Sequence, residues 1–155
     1  MIAHFTKEVA TLSDLLPQVE DGRIDAVWVA GGYKTDWIEA ETAQRLGAAE
    51  LVVVQDLFAS PLTACADYIL PAAAFAEREG SYVNCHDRLQ SFAWAIRPPQ
   101  GVRVEASLYW QLLGRPGLYQ AGEVLQEMAG QVPYFYAAAG EVADVGVDLK
   151  GNQLV

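Results

Sequence analysis

The residues best suited to chemistry lie in the segment ADYILPAAAFAEREGSYVNCHDRLQ, residues 66–90. Its centre holds two carboxylates on either side of a guanidinium, in the run Glu77, Arg78 and Glu79. Paired carboxylates are a common device of general acid–base catalysis. A run of charges is also the ordinary composition of a solvated loop, and as regards catalysis we favour that simpler interpretation.

The two cysteines, Cys65 and Cys85, are the other candidate nucleophiles. Cys85 directly precedes His86, but neighbours in sequence do not by that fact form the hydrogen-bonded dyad that activates a thiol. With two cysteines, two histidines and no CxxC, the chain has no ligand set for an iron–sulfur cluster or a structural zinc. We therefore predict free thiols that act as small buried apolar residues.

Two further candidates each end a short apolar run. Gly31 and Gly32 end IDAVWVAGG, and a glycine pair between a strand and a helix start can cradle a phosphate with its amides. A tight turn that needs glycine explains the same pair, since neither GxGxxG nor a P-loop is present. Gln55 and Asp56 end LVVVQD, where an acid can bind a ribose hydroxyl or a purine amino group, or can cap the next turn.

The elements that must position these residues predict an α/β fold with a doubly wound, mostly parallel sheet in three layers. The runs 26–30, 51–55 and 68–71 are apolar at consecutive positions, which is typical of parallel strands covered on both faces. Ligands of such sheets bind beyond the carboxyl ends of the strands. These ends are the glycine pair, Gln55 with Asp56, and the segment after Pro71.

Helices are predicted before and between the strands. The first covers residues 12–21 with Ser13 as a candidate cap, and the second has Thr35 or Asp36 as its candidate cap and Gly47 at the C-cap position. The third begins at Ser60, with proline at its first helical position.

The second half of the chain changes pattern. After Gly80, two short strand-like runs flank the polar turn 84–87, which predicts a hairpin. Helices are predicted over 105–113 and 122–132, and the last residues, 139–155, are predicted to be irregular. We assign residues 1–155 to one domain, with its core in 12–113 and a tail in 114–155.

Composition excludes several classes of function. The net charge is −10 and the chain has no basic cluster, so it lacks the electrostatic footprint of a nucleic-acid-binding protein. The first residues do not have the pattern of a signal peptide, and no apolar run approaches the roughly 20 residues that span a bilayer. We expect a cytoplasmic domain, without direct membrane insertion.

The order of the motifs is more specific than any single one. The strand ending in QD, the following helix, ADYILP, EREGSYVN and a short turn before RLQ together resemble the molybdopterin oxidoreductase family. The resemblance covers residues 12–113 and rests on these positions: Gln55, Asp56, Thr63, Ala66, Asp67, Leu70, Pro71, Glu77, Arg78, Gly80, Asn84, Arg88 and Gln90.

This resemblance implies that the chain is one α/β domain of a multidomain subunit. In active members of the family, this domain binds one half of a molybdopterin guanine dinucleotide cofactor. By resemblance, Gln55 and Asp56 face the guanosine, Arg78 belongs to the same site, and Gly31 with Gly32 lies near the diphosphate.

Two positions depart from the family pattern where the cofactor would lie. After strand one, the family usually has a small polar residue followed by a proline; here Tyr33 replaces the small polar residue and the proline is absent. Near the later helix, the family's Asp-Trp pair is replaced by Tyr109 and Trp110, with Glu105 close by in sequence. The chain thus keeps the scaffold motifs of the family but changes the positions near the cofactor. In this combination it resembles the large iron–sulfur subunit of bacterial NADH:quinone oxidoreductase, complex I.

The expected function is therefore a structural domain of the electron-transferring peripheral arm, without a bound cofactor or a redox centre of its own. Its expected partners are the other domains of its subunit and other complex I subunits, through which it is membrane-associated. Two alternatives remain open: a formate dehydrogenase-like domain that binds molybdopterin guanine dinucleotide, and a free-standing nucleotide-binding module.

Overall fold

The computed structural model describes residues 10–32 and 37–151 and has an α/β fold with a parallel sheet, as predicted. The described chain forms two compact units. We call them the parallel-sheet unit, residues 10–74 and 98–105, and the hairpin unit, residues 75–97 and 106–151. Among the described residues, no helix is both long enough and apolar enough to cross a membrane.

The parallel-sheet unit contains the three strands that the apolar runs predict. They lie in the order β1-β2-β3, and all pairs are parallel. The third predicted helix does start after Ser60, but it is a short 3-10 helix. The elements of this unit are α1 (Leu12–Glu20), β1 (Ala26–Ala30), α2 (Ala40–Leu46), β2 (Leu51–Asp56), a 3-10 helix (Pro61–Cys65) and β3 (Tyr68–Pro71).

The cap predicted for α1 is wrong by two residues. Thr11, and not Ser13, precedes the helix, because Asp14 completes a reciprocal capping box. The Asp14 amide donates to Thr11 Oγ1 at 3.3 Å, and the Thr11 amide donates to Asp14 Oδ2 at 2.9 Å. Hydrogen bonds from Thr11 lower the pKa of Asp14 below its usual range.

The start predicted for α2 is also displaced. The helix begins at Ala40 after Glu39, while Thr35 and Asp36 lie outside the described residues. Its end at Gly47 is confirmed, although Gly47 has the ordinary helical φ of −65°. A Cβ at Gly47 would lie 2.9 Å from Cys65 Cβ, so close packing against Cys65 is what this position requires.

The hairpin unit contains an antiparallel sheet in the order β4-β5-β6, which confirms the predicted hairpin. The tail predicted to be irregular instead supplies β6, because its backbone pairs with β5 and Leu149 is buried. Both predicted helices are confirmed within one residue at each end. The elements are a 3-10 helix (Phe75–Glu77), β4 (Gly80–Val83), β5 (Arg88–Phe92), α3 (Glu105–Leu112, whose first residue is counted with the parallel-sheet unit), α4 (Ala121–Gln131), a 3-10 helix (Pro133–Ala138) and β6 (Val147–Asp148).

Asp87 connects the turn of the hairpin to the two segments that follow α4. It lies in the β4–β5 turn with a φ of 59°, a left-handed conformation that aspartate and asparagine tolerate better than most residues. Its carboxylate accepts a hydrogen bond from Tyr134 at 2.6 Å and forms an ion pair with Lys150 at 2.5 Å. Its carbonyl accepts from the Leu149 amide at 2.9 Å. One residue therefore contacts two segments that follow α4.

We predict that attachment of the tail depends on pH through Asp87. Hydrogen bonds from Lys150 and then Tyr134 hold the pKa of Asp87 below its ordinary 3.8. The ionised form thus stabilises the fold fully above pH 3.8, and this contribution is lost as the pH falls through the lowered pKa of the folded state. The protection of the Leu149 amide against hydrogen exchange should fall over that acid range.

Asp87→Asn is the matched variant, because asparagine also tolerates a positive φ. It should give low Leu149 protection at neutral pH and no acid step, whereas Asp144→Asn should behave like the wild type. An unchanged acid step in Asp87→Asn would contradict the assignment.

Candidate functional site

The carboxyl ends of β1 and β2 bring three of the predicted site residues together. Ala30 pairs with Gln55, and the Gly31 amide donates to the Gln55 carbonyl at 2.8 Å, so the parallel register continues one residue past β1. Asp56 is the last residue of β2 and pairs with Pro71 of β3. Gly31, Gln55 and Asp56 therefore share one edge of the sheet, as parallel strands require.

Asp56 is buried, with 6% of its surface exposed, and both of its carboxylate oxygens accept hydrogen bonds from nearby residues. Oδ1 accepts from the Leu57 amide at 2.7 Å, and Oδ2 accepts from the Trp37 indole Nε1 at 3.0 Å. Trp37 also packs against the apolar cluster of the parallel-sheet unit. A buried carboxylate needs such donors to offset its desolvation. No sequence signal pairs Trp37 with Asp56.

Gly31 is required at this edge because Asp56 lies against its Cα. A Cβ on Gly31 would lie 2.4 Å from Asp56 Oδ2 and 2.5 Å from Asp56 Cγ, far inside van der Waals contact. Close approach of a carboxylate therefore accounts for the glycine. Gly32 follows it, exposed, with a φ of 124° that favours glycine.

The described residues at this edge do not fit the diphosphate of a dinucleotide. A phosphate beside Gly31 would meet the Asp56 carboxylate, and like charges in a region of low dielectric repel strongly. The first helix described after the glycine pair, α2, begins at Ala40, has seven residues, and carries Glu39 and Glu41 at its start. Tyr33, predicted to occupy the small polar position of the family pattern, lies outside the described residues.

Gln55 is 1% exposed and is among the largest fully buried side chains. It precedes Asp56, so the two side chains point to opposite faces of the sheet. Its predicted contact with guanosine stays a prediction.

Arg78 belongs to the hairpin unit. Its Nη2 donates to the Tyr82 hydroxyl at 3.2 Å, and the Tyr82 ring stacks on Phe92 with 5.0 Å between ring centroids. Phe75 lies 4.8 Å from Phe92 by the same measure. Arg78 thus donates to a tyrosine whose ring belongs to an aromatic cluster of the hairpin unit, and its part in a cofactor site stays a prediction.

The acids beside Arg78 include one with a clear structural contact. Glu79 Oε1 accepts a hydrogen bond from the Ala121 amide, the first residue of α4, at 3.1 Å. A carboxylate at a helix start pairs with unsatisfied amides and with the positive end of the helix dipole. The pKa of nearby Tyr119 is raised, first by burial and then by the charge of Glu79. This contact supports the interpretation of the charge run as non-catalytic.

The remaining candidate nucleophiles are the two cysteines, and the described residues place no set of activating side chains around either of them. Cys85 Sγ lies 3.4 Å from His86 Nδ1, but both residues are exposed in the hairpin turn. The predicted burial of Cys85 is therefore wrong, because the turn leaves its side chain in solvent, while Cys65 is half-buried; both thiols are free. Within residues 10–32 and 37–151, no three His, Cys, Asp or Glu side chains are grouped so that they could hold a metal ion.

Trp110, the second member of the pair that departs from the family pattern, has its polar and aromatic contacts inside the hairpin unit. Its indole donates to the Pro116 carbonyl at 3.1 Å, and the Arg115 guanidinium lies 4.9 Å above its ring. Arg115 also pairs with both carboxylate oxygens of Glu127 at 2.6 Å. Trp110, Arg115 and Glu127 line a cavity of about 360 Å³ between α3 and α4, whose walls are mostly apolar. The contacts of Trp110 are thus those of a packing residue.

Comparison with known proteins gives the chain a family context. A sequence profile of the family described as molybdopterin oxidoreductase matches residues 6–115. The NADPH-Fe(3+) oxidoreductase subunit alpha of Geobacter sulfurreducens is 28% identical over 135 residues, which cover 83% of this chain and 16% of that protein. Formate dehydrogenase H of Escherichia coli is 27% identical over 140 residues, which cover 84% of this chain and 19% of that protein.

A third relative is named as a subunit of NADH-quinone oxidoreductase. This protein, from Rhizobium meliloti, is 29% identical over 102 residues, which cover 64% of this chain and 12% of that protein. The chain therefore spans less than one fifth of the length of each of these three relatives.

We predict that Gly31→Ala destabilises the chain by about 1–3 kcal/mol, because the new methyl group overlaps the Asp56 carboxylate. Urea unfolding monitored by circular dichroism measures the change. Gly130→Ala in α4 is the matched control, since a Cβ there meets nothing within 4 Å. That control should be neutral or stabilising by up to about 1 kcal/mol. Equal free energies of unfolding for the two variants would contradict the proposed contact.

Proposed function

The chain belongs to the molybdopterin oxidoreductase family, and we propose that it is one α/β domain, residues 1–155, of a protein like the large iron–sulfur subunit of NADH:quinone oxidoreductase. In this proposal the domain is a structural part of the electron-transferring peripheral arm and carries no redox centre of its own. The single observation that supports it most is the engagement of Asp56. Both oxygens of this carboxylate accept hydrogen bonds, from Leu57 and Trp37, and its side chain lies against Gly31.

The retained strand-end motif then has a structural task. The Asp56 carboxylate links the end of β2 to Trp37 by a hydrogen bond. The Asp56 backbone carbonyl also accepts a hydrogen bond from the amide of Ala72, the residue after β3, at 3.0 Å. A domain that has kept the family scaffold without the cofactor keeps Asp56 for these contacts. No catalytic residue is assigned to the chain.

The proposed partners follow from the size and the names of the relatives. Each of the three is more than five times as long as the matched segment, and two of them are named as subunits of larger oxidoreductases. We propose contacts with other domains of the same subunit and with neighbouring subunits, in a complex on the cytoplasmic side of the membrane. Nucleic acid is not among the partners, since the net charge is −10.

A second candidate function is a formate dehydrogenase-like domain that binds molybdopterin guanine dinucleotide. It is favoured by the similarity to formate dehydrogenase H over 84% of this chain. In that case Gly31, Gly32, Gln55, Asp56 and Arg78 would hold the dinucleotide, and the Trp37–Asp56 hydrogen bond would have to open. The cofactor itself would supply the redox chemistry.

Titration of the 155-residue chain with GDP, followed by calorimetry, separates the two candidates. We expect no binding, because a phosphate at Gly31 would meet the Asp56 carboxylate. Binding that is lost in Asp56→Asn and in Arg78→Gln would contradict the structural proposal and favour the dinucleotide-binding one. Glu141→Gln, at an exposed acid of the hairpin unit, is the control for a charge change at a residue that is not among the predicted site residues.

A further inference from the structure

The cavity of the hairpin unit is bounded by one face of α3, one face of α4 and the loop between the two helices. On each helix the lining residues are spaced at i, i+3, i+4 and i+7, which is the period of a single helical face. Leu113 directly follows α3 and continues its last turn, because its amide donates to the Tyr109 carbonyl at 3.0 Å. The lining residues are Ala106, Tyr109, Trp110 and Leu113, then Arg115 and Tyr119 of the loop, then Val124, Glu127, Met128 and Gln131.

The apolar cluster of the hairpin unit is built mainly from another face of α4. Leu125 and Ala129 are 6% and 2% exposed and belong to that cluster together with Leu89 of β5. Val124 and Met128 each precede one of these residues, so they lie about 100° around the helix from them. Met128 packs against the cluster and also lines the cavity. The cavity therefore has a wall that the core of the unit supports.

Small side chains keep the cavity open, and one arginine holds its walls in place. Ala106 of α3 and Val124 of α4 are short and do not fill the space between the helices. The Arg115 guanidinium lies 4.9 Å above the ring of Trp110 on α3 and donates to both carboxylate oxygens of Glu127 on α4 at 2.6 Å. Arg115 thus connects the loop to both helices. A site whose walls are fixed in advance binds a ligand at a lower cost in conformational entropy.

The charged and polar groups of the wall already have partners within the chain. Arg115 and Glu127 form a bidentate pair, which satisfies both charges. The Trp110 indole N–H donates to the Pro116 carbonyl at 3.1 Å. A charged ligand would lose its hydration without gaining a free counter-charge from this pair. An uncharged apolar ligand needs only to displace water from the apolar wall.

We propose that this cavity binds an uncharged compound of one or two fused rings. The volume of about 360 Å³ lies in the range of small-molecule sites, and an apolar cavity of about 150 Å³ is enough for one benzene ring. The aromatic ring of Trp110 and the adaptable thioether of Met128 both make favourable contacts with a ring. Leu113 is 73% exposed, so the cavity opens to solvent at this residue and a ligand can enter there.

This site differs from the predicted dinucleotide site and does not depend on the proposed function. None of the predicted cofactor-binding residues lines the cavity. These residues are Gly31, Gly32, Gln55, Asp56 and Arg78.

The test titrates the 155-residue chain with indole, an uncharged probe of two fused rings, and follows amide and methyl chemical shifts. We expect saturable shifts at Ala106, Trp110, Val124 and Met128, with a Kd of about 1 mM or lower. Indole-3-carboxylate has the same rings and a negative charge, and it should bind at least about tenfold more weakly. No saturable shift at these residues up to about 5 mM indole, or equal Kd values for the two probes, would overturn the proposal.

Variants that fill the cavity locate the binding. Ala106→Leu should raise the Kd for indole at least about tenfold, because the larger side chain occupies the space. Ala95→Leu makes the same change at an exposed residue of the hairpin unit outside the cavity lining, and it should bind like the wild type. Val124→Phe fills the space from α4 and replaces Ala106→Leu if circular dichroism shows that the first variant does not fold.

Equal Kd values for the filled variant and the Ala95→Leu control would overturn the proposal. Shifts of the cavity residues that appear when the chain is concentrated without indole would also overturn it, in favour of a second copy of the chain. The GDP titration tests other residues with a charged ligand, so the proposed function and this cavity are judged separately.

Discussion

The buried carboxylate of Asp56 is the constraint on which the strand edge of this domain depends. It ends the central strand, accepts from the Leu57 amide and the Trp37 indole, and leaves no room for a side chain at residue 31. Burying a carboxylate is strongly unfavourable unless donors surround it, so these contacts hold together or are lost together. A position that resembles a ligand contact in the family thus organises the loops of β1 and β2.

The hairpin unit is organised by charged side chains in a similar way. Asp87 accepts from Tyr134 and pairs with Lys150, and Glu79 receives the first amide of α4. In both cases a turn or loop acid binds a segment that is distant in the chain. Of the two acids considered as candidate catalysts, Glu79 therefore has a conformational role in the structure.

The α/β class, the three parallel strands, the hairpin and both later helices were predictable because consecutive apolar runs and turn residues determine them locally. Other features depend on long-range contacts. No pattern in the sequence pairs Trp37 with Asp56, and β6 consists of only two residues, whose pairing with β5 needs the Asp87 turn. The exposure of Trp28 and Tyr68 to solvent could not be predicted either, because an apolar run has the same composition whether one or both of its faces are covered.

The central claim, that Asp56 is engaged from within the domain, is tested most directly by hydrogen exchange of the tryptophan indoles in the NMR spectrum. The Trp37 indole N–H should exchange at least about tenfold more slowly than that of Trp94, whose side chain is 50% exposed, because it donates to a buried carboxylate. Asp56→Asn should shift the Trp37 indole resonance and leave that of Trp94 in place. Equal exchange rates for the two indoles would contradict the account.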